Sequence, residues 1–98
     1  MSMKRYLVVI EKADHNYSAF SPDIPGCITV GDTIEETIEH MKEAMELAIE
    51  AGMEDGIPVP EPKGLLHHIQ DGIFDENEIA EEYYIAQVEV DMPQLSHA

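Results

Sequence analysis

The residues of this chain best equipped for chemistry are a histidine pair, a lone cysteine and a row of glutamates. His67 and His68, followed by Asp71, are zinc-type donors, because imidazole nitrogens and carboxylate oxygens both bind that ion. Adjacent side chains on a helix diverge by about 100°, however, and no Cys or His stands at a matching partner spacing. The pair therefore reads as surface or partner-facing histidines. Cys27 could be a nucleophile only with a base beside it, and none is identifiable. It opens the short apolar run Cys27 to Val30, so a small buried hydrophobe is the better reading. As the only cysteine, it rules out an intramolecular disulfide. Asp14-His15 fits turn chemistry, and His40 stands isolated on a helix.

The glutamates carry a different kind of chemistry. Glu35, Glu36, Glu39, Glu43, Glu46 and Glu50 share one periodic segment with Lys42 as the counter-charge. Like charges at i, i+4 mildly destabilise a helix, so an apolar stripe has to compensate. A charge run is usually a solvated face. Here 21 acidic residues oppose 5 basic ones, and the net charge of -16 exceeds what solubility requires. These six residues, with Asp23 in the preceding turn, are thus candidates for binding a basic partner. The same charge repels phosphate backbones, which argues against direct nucleic-acid binding. No basic-then-apolar leader opens the sequence and no apolar run approaches the roughly 18 residues of a membrane span, so the expected location is cytoplasmic, without membrane contact.

These groups hang on a short series of elements, which at 98 residues is expected to form one domain over 1–98. Lys4 to Lys12 is a β-branched and aromatic run, with Tyr6, Val8 and Ile10 on one face and Leu7 and Val9 on the other. Both faces are apolar, which predicts a central strand covered on both sides. Tyr17 to Ser21 returns as a hairpin partner, Pro22 and Pro25 stop it, and Gly26 turns the chain into Cys27 to Val30, completing a three-stranded meander. Thr33 and Glu36 have capping-box spacing, with Asp32 as an alternative cap. Ile34, Ile38, Met41, Met45, Ala48 and Ile49 form the helix's apolar stripe, and Gly52 is its expected left-handed stop. Leu47 falls outside that stripe, a sign of contact with another chain or segment.

Residues 53–82 read as a connector. Pro58 and Pro60 impose an extended path. Leu65, Leu66, Ile69 and Ile73 or Phe74 then suggest a short amphipathic helix, and Asn77 to Glu82 its end or a turn. Tyr83 to Asp91 alternates as a last strand, with Tyr84, Ala86, Val88 and Val90 on one face. A right-handed crossover through the long helix predicts that this strand lies parallel to and beside the first.

Asp23 to Thr37, DIPGCITVGDTIEET, together with Glu43-Ala44, Glu50 and the connector Ile57-Pro58-Val59-Pro60-Glu61-Pro62, closely resembles the HicB-like antitoxin family. The specific pieces are the turn Pro25-Gly26-Cys27, the cap Gly31-Asp32-Thr33 and the Pro58 and Pro60 spacing, all structural in the first instance. The resemblance implies an α+β fold with a βββαβ core, a truncated ribonuclease-H-like domain with one main helix on a mostly antiparallel sheet. It also implies a non-enzymatic antitoxin that caps a small basic RNA-cleaving toxin, HicA. Many members carry a C-terminal DNA-binding segment; only seven residues follow Asp91, so a short member without it is expected.

The ribonuclease-H likeness raises the question of a two-metal carboxylate centre. Glu11, Asp23, Glu89 and Asp91 sit at strand ends or on alternate faces, so solvated strand ends are expected and no metal or cofactor is assigned. Two functions remain: an antitoxin binding a basic HicA-like toxin through its acidic surface, or an orphan regulatory or small-ligand-binding module. Tyr83, Ile85 and Leu47 add apolar surface that one helix cannot cover, which predicts a homodimer or higher homo-oligomer.

Overall fold

The computed structural model describes residues 3–73 and 83–92. In chain order its elements are β1 (Met3–Lys12), β2 (Tyr17–Phe20), β3 (Ile28–Gly31), α1 (Ile34–Glu54), α2 (Leu65–Gln70) and β4 (Tyr83–Asp91). The strands form one sheet in the order β3-β2-β1-β4. β1 is therefore internal, as its two apolar faces require, and Tyr6, Leu7, Val8, Val9 and Ile10 are all buried.

β1, β2 and β3 form the expected meander, with Val9 opposite Phe20 and Phe20 opposite Ile28 in antiparallel pairs. α1 covers one face of the sheet. Thr37, Met41, Met45 and Ile49 recur at four-residue intervals along its buried side, and Met41, Met45 and Ile49 pack with Tyr6, Val8, Ile10, Val88 and Val90 into one core. Each large side chain so enclosed is worth about 1.5–3 kcal/mol of transfer free energy, which outweighs the glutamate repulsion on the opposite side. Ala48, assigned to the stripe from its spacing, is instead exposed, because the helix rotates it toward the edge of the contact.

The direction of β4 departs from expectation. It pairs antiparallel with β1, from Met3 opposite Asp91 to Glu11 opposite Tyr83, and not in parallel. The physical reason is the path of the connector. On leaving α1 the chain passes the start of β1, where the Tyr6 hydroxyl donates to the Pro60 carbonyl at 2.7 Å and Lys4 meets Glu61 at 2.9 Å. A strand starting there would run parallel to β1. The chain instead continues through α2, and Tyr83 lies opposite Glu11 at the far end of β1, so β4 has to run back.

The end of α1 also differs. The helix runs through Gly52 and stops two residues later, at Glu54. The Ile57 amide donates to the Gly52 carbonyl at 2.7 Å and the Gly56 amide to the Met53 carbonyl at 3.1 Å, with Gly56 at φ 76°. This is a Schellman closure, whose left-handed residue is Gly56. The short helix expected after the connector forms as α2, but its apolar residues Leu65, Leu66 and Ile69 are exposed and its buried residue is His68. Phe74 and Asn77 to Glu82 lie outside the described residues.

Candidate partner-binding surface

The motif from Ser21 to Thr37 sets the geometry of everything around it. Gly26 has φ +82°, and a Cβ at this position would meet nothing within 4 Å, so it serves the turn by its backbone alone. Gly31 serves by size: a Cβ there would lie 2.5 Å from Thr37 Oγ1 and 2.8 Å from Thr37 N. Only glycine lets the first turn of α1 sit this close to β3. Thr33, not Asp32, is the cap, its hydroxyl accepting from the Glu36 amide at 3.0 Å. Cys27 is buried, and burial pushes its thiol pKa up.

Asp23 is the centre of a polar cluster that joins four parts of the chain. Its Oδ2 accepts from the Leu7 amide at 3.0 Å, and its Oδ1 accepts from the Lys63 amide at 3.0 Å and contacts His68 Nε2 at 2.6 Å. Burial pushes the carboxyl pKa up, but the two amides and His68 outweigh it and hold the group below the usual range. β2 ends at Phe20, so this carboxylate takes the place of the missing strand beside Leu7. Asp23 and His68 are 7% and 5% exposed, which removes both from the surface where the sequence placed them. His67 stays at the surface and meets Asp71 at 3.0 Å. Tyr6, held against Pro60, is pushed up to about 12 by burial and by the Glu61 and Asp23 carboxylates. The signal that would have found the cluster is distributed: a buried-type turn aspartate, and a histidine inside an otherwise apolar helix pattern.

The other carboxylates do not converge. Glu89 pairs with Arg5 across the strands at 2.9 Å. Glu11 lies opposite Tyr83, six positions along β1 from Arg5, or about 20 Å at strand rise. Asp91 is at the far end of the same ladder. Among the described residues no group of three or more His, Cys, Asp or Glu side chains could hold a metal ion.

The row on α1 is where acidic groups meet solvent. Glu35, Glu39, Glu43 and Glu50 are exposed, and Glu36 and Glu46 are half-buried. His40 stands at the edge of this row, its Nδ1 2.8 Å from the Val30 carbonyl and its Nε2 3.7 Å from Glu36. The Val30 carbonyl raises its pKa most, burial takes back part of that, and Glu36, Glu43 and Glu39 each add a smaller rise. Beside the C-terminal half of α1 runs an apolar groove of about 210 Å³, whose lining includes Ala48, Gly52, Ile24, Pro25, Ile57 and Pro58. No helix among the described residues is long and apolar enough to cross a membrane.

A four-stranded antiparallel sheet backed by one long acidic helix, with a proline connector fastened to a turn aspartate, makes a small α+β domain. The family model described as HicB_like antitoxin of bacterial toxin-antitoxin system matches residues 6–98, and the chain belongs to that family. Among solved structures, it is similar to a chain of the HicA3 and HicB3 toxin-antitoxin complex, at 32% identity and a TM-score of 0.69 over 89% of this chain and 98% of that one. The N-terminal domain of the Burkholderia pseudomallei antitoxin HicB matches at 25% identity and a TM-score of 0.69, covering 90% of this chain and 99% of that one. A toxin-antitoxin complex from Streptococcus pneumoniae shares the fold at 19% identity and a TM-score of 0.70, over 92% of this chain and 70% of that one. No curated protein matches the chain.

Proposed function

We propose that this protein is a non-enzymatic antitoxin that binds a small basic, RNA-cleaving HicA-like toxin through the acidic side of α1 and blocks access of RNA to it. The observation that carries the reading is the 32% identity, across nearly all of both chains, to a chain of a toxin-antitoxin complex. The glutamate row supports it, because a field of one sign draws a basic partner in and fixes its orientation. A chain of net charge -16 contacts the toxin and not nucleic acid, and it works in the compartment where the toxin meets RNA, the cytoplasm. The Asp23 carboxylate is enclosed and spent on two backbone amides and on His68, which fits a structural role and not a catalytic one.

Self-association is part of the same proposal. β3 is an edge strand with Ile28 and Val30 exposed, and Ile85 on β4 is 41% exposed, so strand edges and apolar positions are on offer to a second copy. A sedimentation run that returns only an 11.0 kDa species contradicts it. The function itself is tested by co-expressing the chain with the small basic protein from the neighbouring reading frame. Co-purification, and loss of that protein's RNA cleavage on mixing, are expected; no basic neighbour, or undiminished cleavage, overturns the reading.

A further inference from the structure

The outer side of α1 is not uniformly acidic, and its exception adjoins the groove. Leu47 is 67% exposed, although it sits in the middle of a helix whose buried side is complete without it. Ala51 follows at i+4 and is exposed, and Ala48, three residues before Ala51, is exposed too. At i, i+3 and i, i+4 spacing these three are neighbours, so an apolar strip runs from Leu47 across Ala51 to Ala48 and into the groove. The far wall of the groove is Ile57 and Pro58. Ile57 is 57% exposed, and proline offers no N–H, so that wall presents no donor at Pro58. At about 210 Å³ the groove exceeds the roughly 150 Å³ that accommodates a benzene-sized group. It has room for one large apolar side chain.

Acids border the strip on its other side. Glu43 and Glu50 flank Leu47 at i-4 and i+3, Glu54 follows Glu50 at i+4, and all three are exposed. Among the described residues none of the three forms a salt bridge. An occupant therefore meets an apolar seat with three carboxylates along one rim. We infer that this strip and groove are the anchor point for the basic partner: one large apolar side chain of the partner enters between α1 and the proline connector, beside Leu47, while flanking Lys or Arg side chains engage Glu43, Glu50 and Glu54. The inference rests on the antitoxin reading and specifies the contact that gives it affinity. Exposed carboxylates steer and orient, with modest binding energy each; the desolvated apolar anchor supplies the tight contact.

The test uses the full chain and the neighbouring basic protein made catalytically inactive, with binding measured by calorimetry at two salt concentrations. Leu47→Gln removes the lip without adding charge, and Ala48→Leu fills the mouth of the groove. Both sites are exposed, and an unchanged thermal midpoint verifies folding. Each variant is expected to weaken binding at least about tenfold with the salt dependence kept, as for an interface hot spot. Glu50→Gln is expected to lower the salt dependence with a smaller loss. Wild-type binding with both apolar variants within about twofold of it overturns the anchor and leaves the antitoxin reading standing. A change in the chain's own sedimentation with unchanged toxin binding reassigns the strip to self-association and equally overturns it. Absence of binding by the wild type overturns the antitoxin reading and the anchor together.

Discussion

Asp23→Asn keeps the size of the turn aspartate and changes what it can accept. The carboxylate takes the Leu7 amide on one oxygen and the Lys63 amide with His68 on the other. An asparagine has one acceptor oxygen and one NH2 group. With its oxygen toward Lys63 and His68, the NH2 faces the Leu7 amide; turned over, it faces the Lys63 amide, and His68 accepts from it only in the other tautomer. Either way one backbone N–H is left without an acceptor, which costs about 1–3 kcal/mol, and the surviving bonds lose charge assistance worth about 1 kcal/mol. A total of about 2–4 kcal/mol follows, a large part of the roughly 5–15 kcal/mol that stabilises a domain. Urea titration at neutral pH should show a lower midpoint with an unchanged slope.

The variant also has a pH signature with a definite sign. The folded carboxyl sits below its unfolded value, which is about 3.9. Its contribution is therefore fully present above about pH 4 and is lost as pH falls through the lower, folded pKa. The wild-type advantage over Asp23→Asn should be constant from neutral pH down to about pH 4 and shrink below it. A loss under about 1 kcal/mol at neutral pH, or an advantage that persists unchanged in acid, refutes the cluster as a stabilising unit.

Other substitutions separate the devices in the hinge and helix. Gly31→Ala forces a Cβ to within 2.5 Å of Thr37 Oγ1 and should cost about 1–3 kcal/mol as overpacking, against about 1 kcal/mol for loss of the cap in Thr33→Ala; thermal unfolding ranks the two. Gly56→Ala, at φ 76°, should destabilise by roughly 1–2 kcal/mol. Gly52→Ala should instead stabilise by up to about 1 kcal/mol, because its Cβ meets Ile57 Cβ at an ordinary 3.6 Å. His40 has its pKa raised, chiefly by the Val30 carbonyl, so its contribution is present below the unfolded pKa of about 6.5 and lost as pH rises through the higher folded value. His40→Gln should flatten stability across that window, checked by thermal midpoints against pH.

What could be read from the sequence was local in origin. The apolar faces of β1, the turn residues around Pro25 and Gly26, and the spacing of Thr33 and Glu36 each encode a structure within a few residues, and the α+β core with its long helix follows from them. Gly52 and Gly56 show where local reading stops: both have the residue type of a helix end, and the choice depends on Ile57 folding back onto the last turn. The direction of β4 and the burial of His68 depend on where the connector travels, which is set by Pro60 meeting Tyr6 and by Lys63 meeting Asp23. Pairings that bridge 40 and 45 residues leave no periodic trace. The acidic row was plain in composition. The groove beside it was not, because its walls come from the turn, α1 and the connector.

The Asp23 cluster also orders events in time. Its bonds close loops of 16, 40 and 45 residues, and each needs β1, the turn, the connector or α2 already in place. The meander and the first turns of α1 need only near neighbours, and contacts of short span form first. Asp23 thus acts as a clasp fastened after the meander and the start of α1 have formed. Its loss should leave the rate of folding nearly untouched and shorten the lifetime of the folded chain.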